Sequence, residues 1–531
     1  MFGVVKSLKL RLWYPAMIEK GKNPVVLHPI FFALFPVLFL FSHNREESLT
    51  PDQVLTPLVF SLLGVLLLWG LVNLVWKNWR KTGLVVSLVV LLFFSYGHLH
   101  TALTGVTAAG LNLWQHRYLL GAYGILFLLT VLWTIRTRKK LDKLTAVLNL
   151  VSFTLVAISL VSVSAYLIRR GAMTRSLEDK TVGEVPADPT VRDDYPDIYY
   201  IILDAYAHEQ TLKEIYDFDN SEFIKFLREA GFYVVPEGRS NYPFSAPSLA
   251  SSLNFEYLDY LRGSGGDNPD ISVAFYYLIE NNRAVRFLKS RGYKFVHFDS
   301  GWSGNERNRH ADLQLRYGYS NEFLLVLAQT TMIIPFRRVL NLLAGDHRQR
   351  ILGIFSGIAE VHRTVPGPKF VFAHLVCPHG PYVFGPEGEE REVDMVSLTR
   401  PGRHRAYLDQ VMFVNMKVEE LLEVLLAPSD RPPVIIIQAD HGPISVGGFK
   451  DPSDRFLRER MRILNAYFLP GGGDELLYPA ITPVNTFRLI FNYYLGGDFP
   501  LLPDRSYYRG NETSYDFYDV TDRVTFSPPA D

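Results

Sequence analysis

The chain changes character about a third of the way along. Its first part is built of long apolar runs separated by short charged stretches; from about position 195, short apolar segments alternate with polar ones as in a globular protein. Five runs, at 25–42, 53–76, 83–104, 117–135 and 145–168, are long enough, or nearly so, to cross a bilayer as helices. The first is interrupted by His28, Pro29 and Pro36. A charged segment precedes it and no small-residue cleavage site follows, so it reads as a retained span and not as a cleavable leader. Residues 171–196, polar and carrying Pro186, Pro189 and Pro196, read as an extended linker.

Beyond the linker the periodicity alternates. Ile198–Leu203 is a continuous β-branched and aromatic run, the pattern of a strand buried on both faces. Ser221–Ala230 predicts a helix capped by Ser221 and stopped by Gly231. Helices are predicted at 275–291, 347–363 and 403–427. Strands are predicted at 294–298, 369–376, Val434–Gln438 and 463–469. Strands alternating with helices imply a mostly parallel sheet covered on both faces, with ligands at the carboxyl ends of the strands. The apolar stretch 323–336 ends at Pro335, Arg337 and Arg338 and is short for a sixth crossing. It reads as a core helix or as one lying on the membrane surface. The expected division is therefore a membrane domain with five helices (1–170), a linker (171–196), a globular domain (197–505) and a C-terminal tail (506–531).

Charge sets the expected orientation. Lys6, Lys9, Arg11, Lys20 and Lys22 precede the first span. Lys77, Arg80 and Lys81 lie between the second and third, and Arg136, Arg138, Lys139, Lys140 and Lys143 between the fourth and fifth. The other two loops offer only Arg45 and Arg117. By the excess of positive charge on the cytoplasmic side, the N-terminus is cytoplasmic and everything after Arg170 is outside, with Arg169 and Arg170 opposing. The 531 residues include 54 basic and 54 acidic ones, which gives no reason to expect a nucleic-acid partner. Cys377 is the only cysteine, so no disulfide forms within one chain and the compartment is not revealed by cysteine usage. His98, His100 and His116, near the outer ends of spans three and four, read as interfacial residues facing water; a lipid head group or a metal is the alternative. No buried acid–base pair marks an ion path, which argues against a transporter.

Three strand ends carry polar residues: Asp204 after the first strand, His374 and His379 at the end of 369–376, and Asp440-His441-Gly442 after Val434–Gln438. In a parallel sheet these ends share one edge. Asp204, Asp440 and His441 with one serine oxygen make a mixed oxygen and nitrogen set for a divalent cation. That serine is sought in Ser240–Asn254, where a polar loop runs into a helix start. Ser245 stands at the junction, either as a helix cap or as a nucleophile facing free N–H groups and the positive end of the helix dipole. Ser248 and Ser251 are the runners-up, each also able to cap or pack. A metal would lower the serine pKa and polarise an ester, and His379 would stabilise the transferring group or protonate the leaving group. Asp299, Arg309, His310, Lys450, Arg462 and Asn465 are more remote candidates for a further ligand.

From Asp197 to about Pro503 these residues resemble the sulfatase-like branch of the alkaline phosphatase superfamily. The likeness is greatest to its membrane-anchored phosphoethanolamine transferases and lipoteichoic acid synthases. Ile201-Ile-Leu-Asp204, His379-Gly380-Pro381 with His374, and Asp440-His441-Gly442 carry the resemblance. It implies five N-terminal spans and a three-layer α/β sandwich. It also implies one or two divalent ions (Mn, Zn, Mg or Ca) held by Asp204, Ser245, Asp440 and His441, with His374, His379 and Ser248 around the substrate. Sulfatases convert the first residue of a Cys/Ser-x-Pro-x-Arg motif to formylglycine; Ser245-Ala-Pro-Ser248 fits that frame, but Leu249 replaces the arginine. The transferases use an unmodified threonine slightly upstream, where this chain has Tyr242 and Pro243. The expectation is therefore an unmodified Ser245. The enzyme would be a multi-pass protein of the inner or plasma membrane acting on a lipid or glycan phosphate ester outside the cytoplasm. The rival readings are a sulfuric ester hydrolase and a non-catalytic membrane sensor that kept the fold.

Overall fold

The structure is a computed structural model that describes residues 24–43, 51–104, 106–108, 111–181, 195–262, 271–319, 322–391, 400–445, 449–509 and 515–526. Linker residues 182–194, the basic residues before position 24 and Arg45 lie outside this set. The chain divides into two compact units. One comprises Met1–Arg45, Leu49–Arg169 and Glu322–Leu340; the other comprises Glu46–Ser48, Arg170–Asn321 and Asn341–Asp531.

The first unit is helical. Pro51–Trp76, Trp79–Leu103, His116–Arg136 and Asp142–Thr181 are each long and apolar enough to cross a membrane. The expected first span is a helix of 16 residues, His28–His43, shorter than a crossing needs, with Pro36 inside it. The start of the expected linker, 171–181, continues the helix Asp142–Thr181. Leucines such as Leu63, Leu67 and Leu74 are exposed, which suits hydrocarbon and not water. Polar side chains close the interior. Asn149 Oδ1 accepts from the free N–H groups of Leu27 and His28 at the start of His28–His43, at 3.0 and 2.9 Å. Of the three histidines expected to face water, His98 is exposed but His100 is buried. The His100 ring stacks on His116 at 4.6 Å, and His116 meets the Tyr96 hydroxyl at 3.0 Å. Their aromatic neighbours on adjacent helices take the place of solvent.

The stretch 323–336 belongs to this helical unit. Its helix, Glu322–Thr330, packs on Trp79–Leu103, and the Met332 N–H donates to the Phe93 carbonyl at 2.8 Å. Gly97 permits the approach: a Cβ there would stand 2.1 Å from the Gln329 carbonyl oxygen.

The second unit is built on a seven-stranded sheet. In chain order its strands are β1 (Ile198–Leu203), β2 (Tyr233–Val234), β3 (Lys294–Phe298), β4 (Leu313–Leu315), β5 (Lys369–Leu375), β6 (Val434–Gln438) and β7 (Asn465–Phe468). Their spatial order is β2-β7-β6-β1-β5-β3-β4. The pairs from β6 through β1, β5 and β3 to β4 are parallel, whereas β7 runs antiparallel to β6 and to β2. All six residues of β1 are buried. Tyr199, Ile201 and Leu203 enter one apolar cluster with Ile351, Ile354, Tyr407 and Val411; Ile198, Tyr200 and Ile202 enter another with Leu249, Leu253, Phe275 and Phe487. Each face of the sheet thus has its own helices. The predicted helix 275–291 is two, Ile271–Glu280 and Arg283–Ser290, because the Asn282 side chain caps a new start at Val285 N. Asn220, not Ser221, is the cap residue of Ser221–Glu229. Residues 507–509 and 517–519 pair as a small ribbon, and Tyr508 and Val524 pack with Phe456, so the described end of the chain is part of this unit.

Asp299, just past β3, is buried. Its Oδ1 accepts from the Gly301 N–H at 2.7 Å and its Oδ2 pairs with Arg316 at 3.1 Å. Burial outweighs these partners and raises its carboxyl pKa to about 6. The folded state therefore binds this proton more tightly than the unfolded chain, and stability rises as pH falls from about 6 towards 4. Asp299→Asn, which keeps the Oδ1 acceptor, is expected to flatten the difference in unfolding free energy between pH 7.5 and 4.5 by on the order of 1–2 kcal/mol. Denaturant titrations at both pH values check this, and an unchanged slope would count against it.

Candidate active site

The register of the parallel strands brings the predicted residues together. Ile202 of β1 lies opposite His374 of β5 on one side and Gln438 of β6 on the other. Paired residues of a parallel sheet face the same way, and so do residues two apart on a strand. Asp204 and Asp440, two residues beyond Ile202 and Gln438, therefore continue the face that holds Ile202. The helix Ser245–Asn254 buries Leu249, Ala250 and Leu253 on that same face. The serine helix and all three strand ends thus meet at one corner.

Ser245 is the first residue of this helix. The cap position belongs to Phe244, which makes no side-chain cap, so the hydroxyl of Ser245 is not spent on the helix start. It lies 3.0 Å from His441 Nε2 instead. The runners-up are engaged in structure: Ser248 Oγ donates to the Tyr242 carbonyl at 2.8 Å, and Ser251 Oγ to that of Glu256 at 2.7 Å.

Asp204, His374 and Asp440 are buried and offer ligand atoms that all lie within 4.8 Å of one another. His441 Nδ1 is 3.0 Å from the Gly442 carbonyl, a contact that requires the hydrogen on Nδ1 and leaves a lone pair on Nε2. That lone pair is 3.6 Å from Asp204 Oδ1 and 3.4 Å from Asp440 Oδ2. Both oxygens are buried, with no hydrogen-bond donor among the described residues. Acceptors facing acceptors in a buried space repel, and a cation removes the repulsion. The mixed carboxylate and imidazole set suits zinc or manganese better than an all-oxygen site would. On these grounds the residues fit a divalent ion.

The electrostatics agree. Burial would raise the Asp204 carboxyl, but the nearby His379, His374 and Arg460 outweigh it and hold its pKa below the ordinary value. Burial, aided by Arg460, lowers His441 to about 3 and keeps the imidazole neutral, as a ligand must be. His374 shifts the other way: burial lowers it, but Asp204, 3.5 Å from its Nε2, raises it more. His379 is exposed at the rim, its ring centroid 6.4 Å from that of His441. Its loop is held by Gln410, which donates to the Pro378 and His379 carbonyls at 3.1 and 3.0 Å.

The remote candidates other than Lys450 are engaged elsewhere. Arg309 and His310 bind Asn281, Asn465 binds Gln438, Arg462 caps the carbonyl of Val524, and Lys450 is exposed. Sequence reasoning missed three contributors. Ala205 holds the Asp204 turn in the left-handed region at φ 64°, and Tyr407 braces it, donating to the Ala205 carbonyl at 2.9 Å and accepting from the Ala207 N–H at 3.1 Å. Arg460 sits buried beside the carboxylates. An alanine, a tyrosine on a long helix and an arginine in a charged helix carry no local signal of these roles.

No known family profile matches the chain, and no curated protein matches it. Solved structures do. The chain is similar to the C-terminal periplasmic domain of EcEptC from Escherichia coli, at 13% identity and a TM-score of 0.42, over 63% of this chain and 94% of that one. It is similar to the C-terminal periplasmic domain of phosphoethanolamine transferase EptC from Campylobacter jejuni, at 12% identity and a TM-score of 0.35, over 57% and 92%. It is also similar to the integral membrane protein lipooligosaccharide phosphoethanolamine transferase A from Neisseria meningitidis, at 13% identity and a TM-score of 0.34, over 85% and 89%. The roles of the residues in this chain rest on its own geometry.

Proposed function

We propose that the chain is a membrane-anchored, metal-dependent enzyme of the sulfatase-like alkaline phosphatase type. It cleaves or transfers a phosphate-ester group, of the phosphoethanolamine or phosphoglycerol kind, through a covalent intermediate on Ser245. The observation that carries this reading is the Ser245 hydroxyl, free of any capping role and 3.0 Å from His441 Nε2, at the edge of the buried Asp204–His374–Asp440 group. Asp204, Asp440, His441 and Ser245 would hold one or two divalent ions. Bound there, an ion would lower the serine pKa and polarise the ester.

The chain's own residues supply the rest. In the first turn of the serine helix the N–H groups of Ser245 and Ala246 have no acceptor within the helix, while Pro247 has no N–H; those two suit the oxygens of a phosphoryl group. Ser245 gives its hydroxyl proton to solvent; as the bond from its Oγ to phosphorus forms, the bond from phosphorus to the leaving oxygen breaks. His379, exposed at the rim, would give that oxygen a proton. Water, or an acceptor hydroxyl on a lipid or glycan, then attacks the phosphoserine, giving its proton back to His379, and the bond from phosphorus to Ser245 Oγ breaks to restore Ser245. The loop charges support a location of this unit outside the cytoplasm, at the surface of an inner or plasma membrane. Helices beyond the needs of an anchor favour a lipid-linked substrate and hence a transferase. The sulfatase reading is disfavoured by Leu249, which is fully buried in the apolar cluster where the formylglycine motif has arginine.

The test is hydrolysis of an aryl phosphodiester and an aryl sulfate by the full-length protein with added manganese, zinc or calcium. Metal-dependent phosphodiester turnover is expected. Sulfate turnover with a mass loss at residue 245 would install the sulfatase reading instead. Silence on both esters with no metal bound would favour the sensor.

A further inference from the structure

Arg460 is buried at the candidate site, on the helix Asp454–Met461. Its Nε donates to the Pro243 carbonyl at 2.6 Å and its Nη1 to the Gly442 carbonyl at 2.5 Å. Its guanidinium also lies over the Phe244 ring at 5.5 Å. Pro243 and Phe244 lead directly into Ser245, and Gly442 follows Asp440 and His441. One planar group thus ties the serine loop to the metal-ligand loop. The tie is reinforced from the other side: the Gly442 N–H donates to the Arg460 carbonyl at 2.7 Å, and a Cβ on Gly442 would stand 2.1 Å from the Glu459 carbonyl oxygen. No other residue would let the two backbones lie this close.

The same guanidinium feels the charges of Asp440 and Asp204, though it closes no ion pair with either among the described residues. It is a fixed positive charge beside carboxylates that would also serve a cation. It therefore competes electrostatically with the ion while holding the nucleophile in place, and these two effects have opposite signs in a measurement.

Building on the reading of Ser245 as nucleophile, we propose that Arg460 is a positioning residue that sets the placement of Ser245 against Asp440 and His441, at the expense of metal affinity. A forked, flat donor is needed to reach two carbonyls from one stem; lysine offers the charge without the fork.

The experiment compares wild type, Arg460→Met and Arg460→Lys as full-length protein. It measures zinc and manganese affinity by calorimetry, amide hydrogen exchange over residues 243–250, and phosphodiester turnover. Arg460→Met is expected to bind metal about tenfold more tightly, since a like charge has gone. Exchange at 243–250 should rise, and kcat should fall about 100-fold with KM little changed. Arg460→Lys should keep metal affinity within about twofold and still lose most of kcat. Added guanidinium should restore part of the turnover of Arg460→Met. A variant that merely misfolded would lose metal binding, not gain it. Unchanged metal affinity together with unchanged exchange would overturn the proposal. Should wild type turn over no ester, the functional reading would fail, while affinity and exchange would still decide the role of Arg460.

Discussion

Ser245→Ala is expected to lower metal-dependent phosphodiester turnover by about 10³-fold or more, because no covalent intermediate can form without the hydroxyl. The variant should fold normally. Ser245 does not cap its helix, and its side chain is only half-buried, so its removal should change stability by less than about 0.5 kcal/mol. Metal should still bind, since Asp204, Asp440 and His441 remain. A trapped phosphoserine, seen as a mass increase on residue 245 in wild type and absent from the variant, would complete the case. Full activity in Ser245→Ala would remove this residue from the mechanism. Ser248 would not inherit the role easily, because its hydroxyl is committed to the Tyr242 carbonyl.

Asp440→Asn is expected to cost about 10²–10³-fold in metal affinity, and turnover with it, while the fold survives. Asp440 Oδ1 accepts from the Ala205 N–H at 3.3 Å and the His441 N–H at 2.9 Å, and an asparagine oxygen can keep both. Its Oδ2 has no donor among the described residues and lies 3.4 Å from His441 Nε2. There the amide NH2 would remove the repulsion between a negative oxygen and the imidazole lone pair, which the Ser245 hydroxyl already approaches at 3.0 Å. The variant should therefore equal or exceed wild type in thermal stability without added metal, and gain less when metal is supplied. Thermal melts with and without zinc, beside calorimetry, separate the two effects. A variant that melted earlier without metal and still bound zinc at wild-type affinity would show that Asp440 serves the fold and not the ion.

Much of the architecture was legible because it depends on local pattern. β1 and β6 matched their predicted runs to the residue, since a strand buried on both faces has no solvent-facing position to blur its ends. The strand ends that carry Asp204, His374 and Asp440 were legible for the same reason: once the strands are parallel, the register follows. Other features were set by neighbours distant in sequence. The antiparallel course of β7 depends on its pairing with β6 and β2, and nothing in Asn465–Phe468 records direction. The break at Asn282 was hidden inside a continuous helical pattern, where one capping side chain decides. The partners of Arg460 are carbonyls, Pro243 and Gly442, which leave no imprint on residue type.

Glu322–Leu340 lies in the middle of the globular sequence yet belongs to the helical unit. The two units are therefore not separable by a single cut. A soluble form begun near position 195 would carry Phe323, Leu327 and Ile334, residues buried in the full chain, without the helix Trp79–Leu103 on which their segment packs. Detergent dependence and self-association would then reflect that uncovered stretch and say nothing of the sheet. A preparation freed of both problems has to replace the apolar residues of 323–336 as well as remove the N-terminal spans.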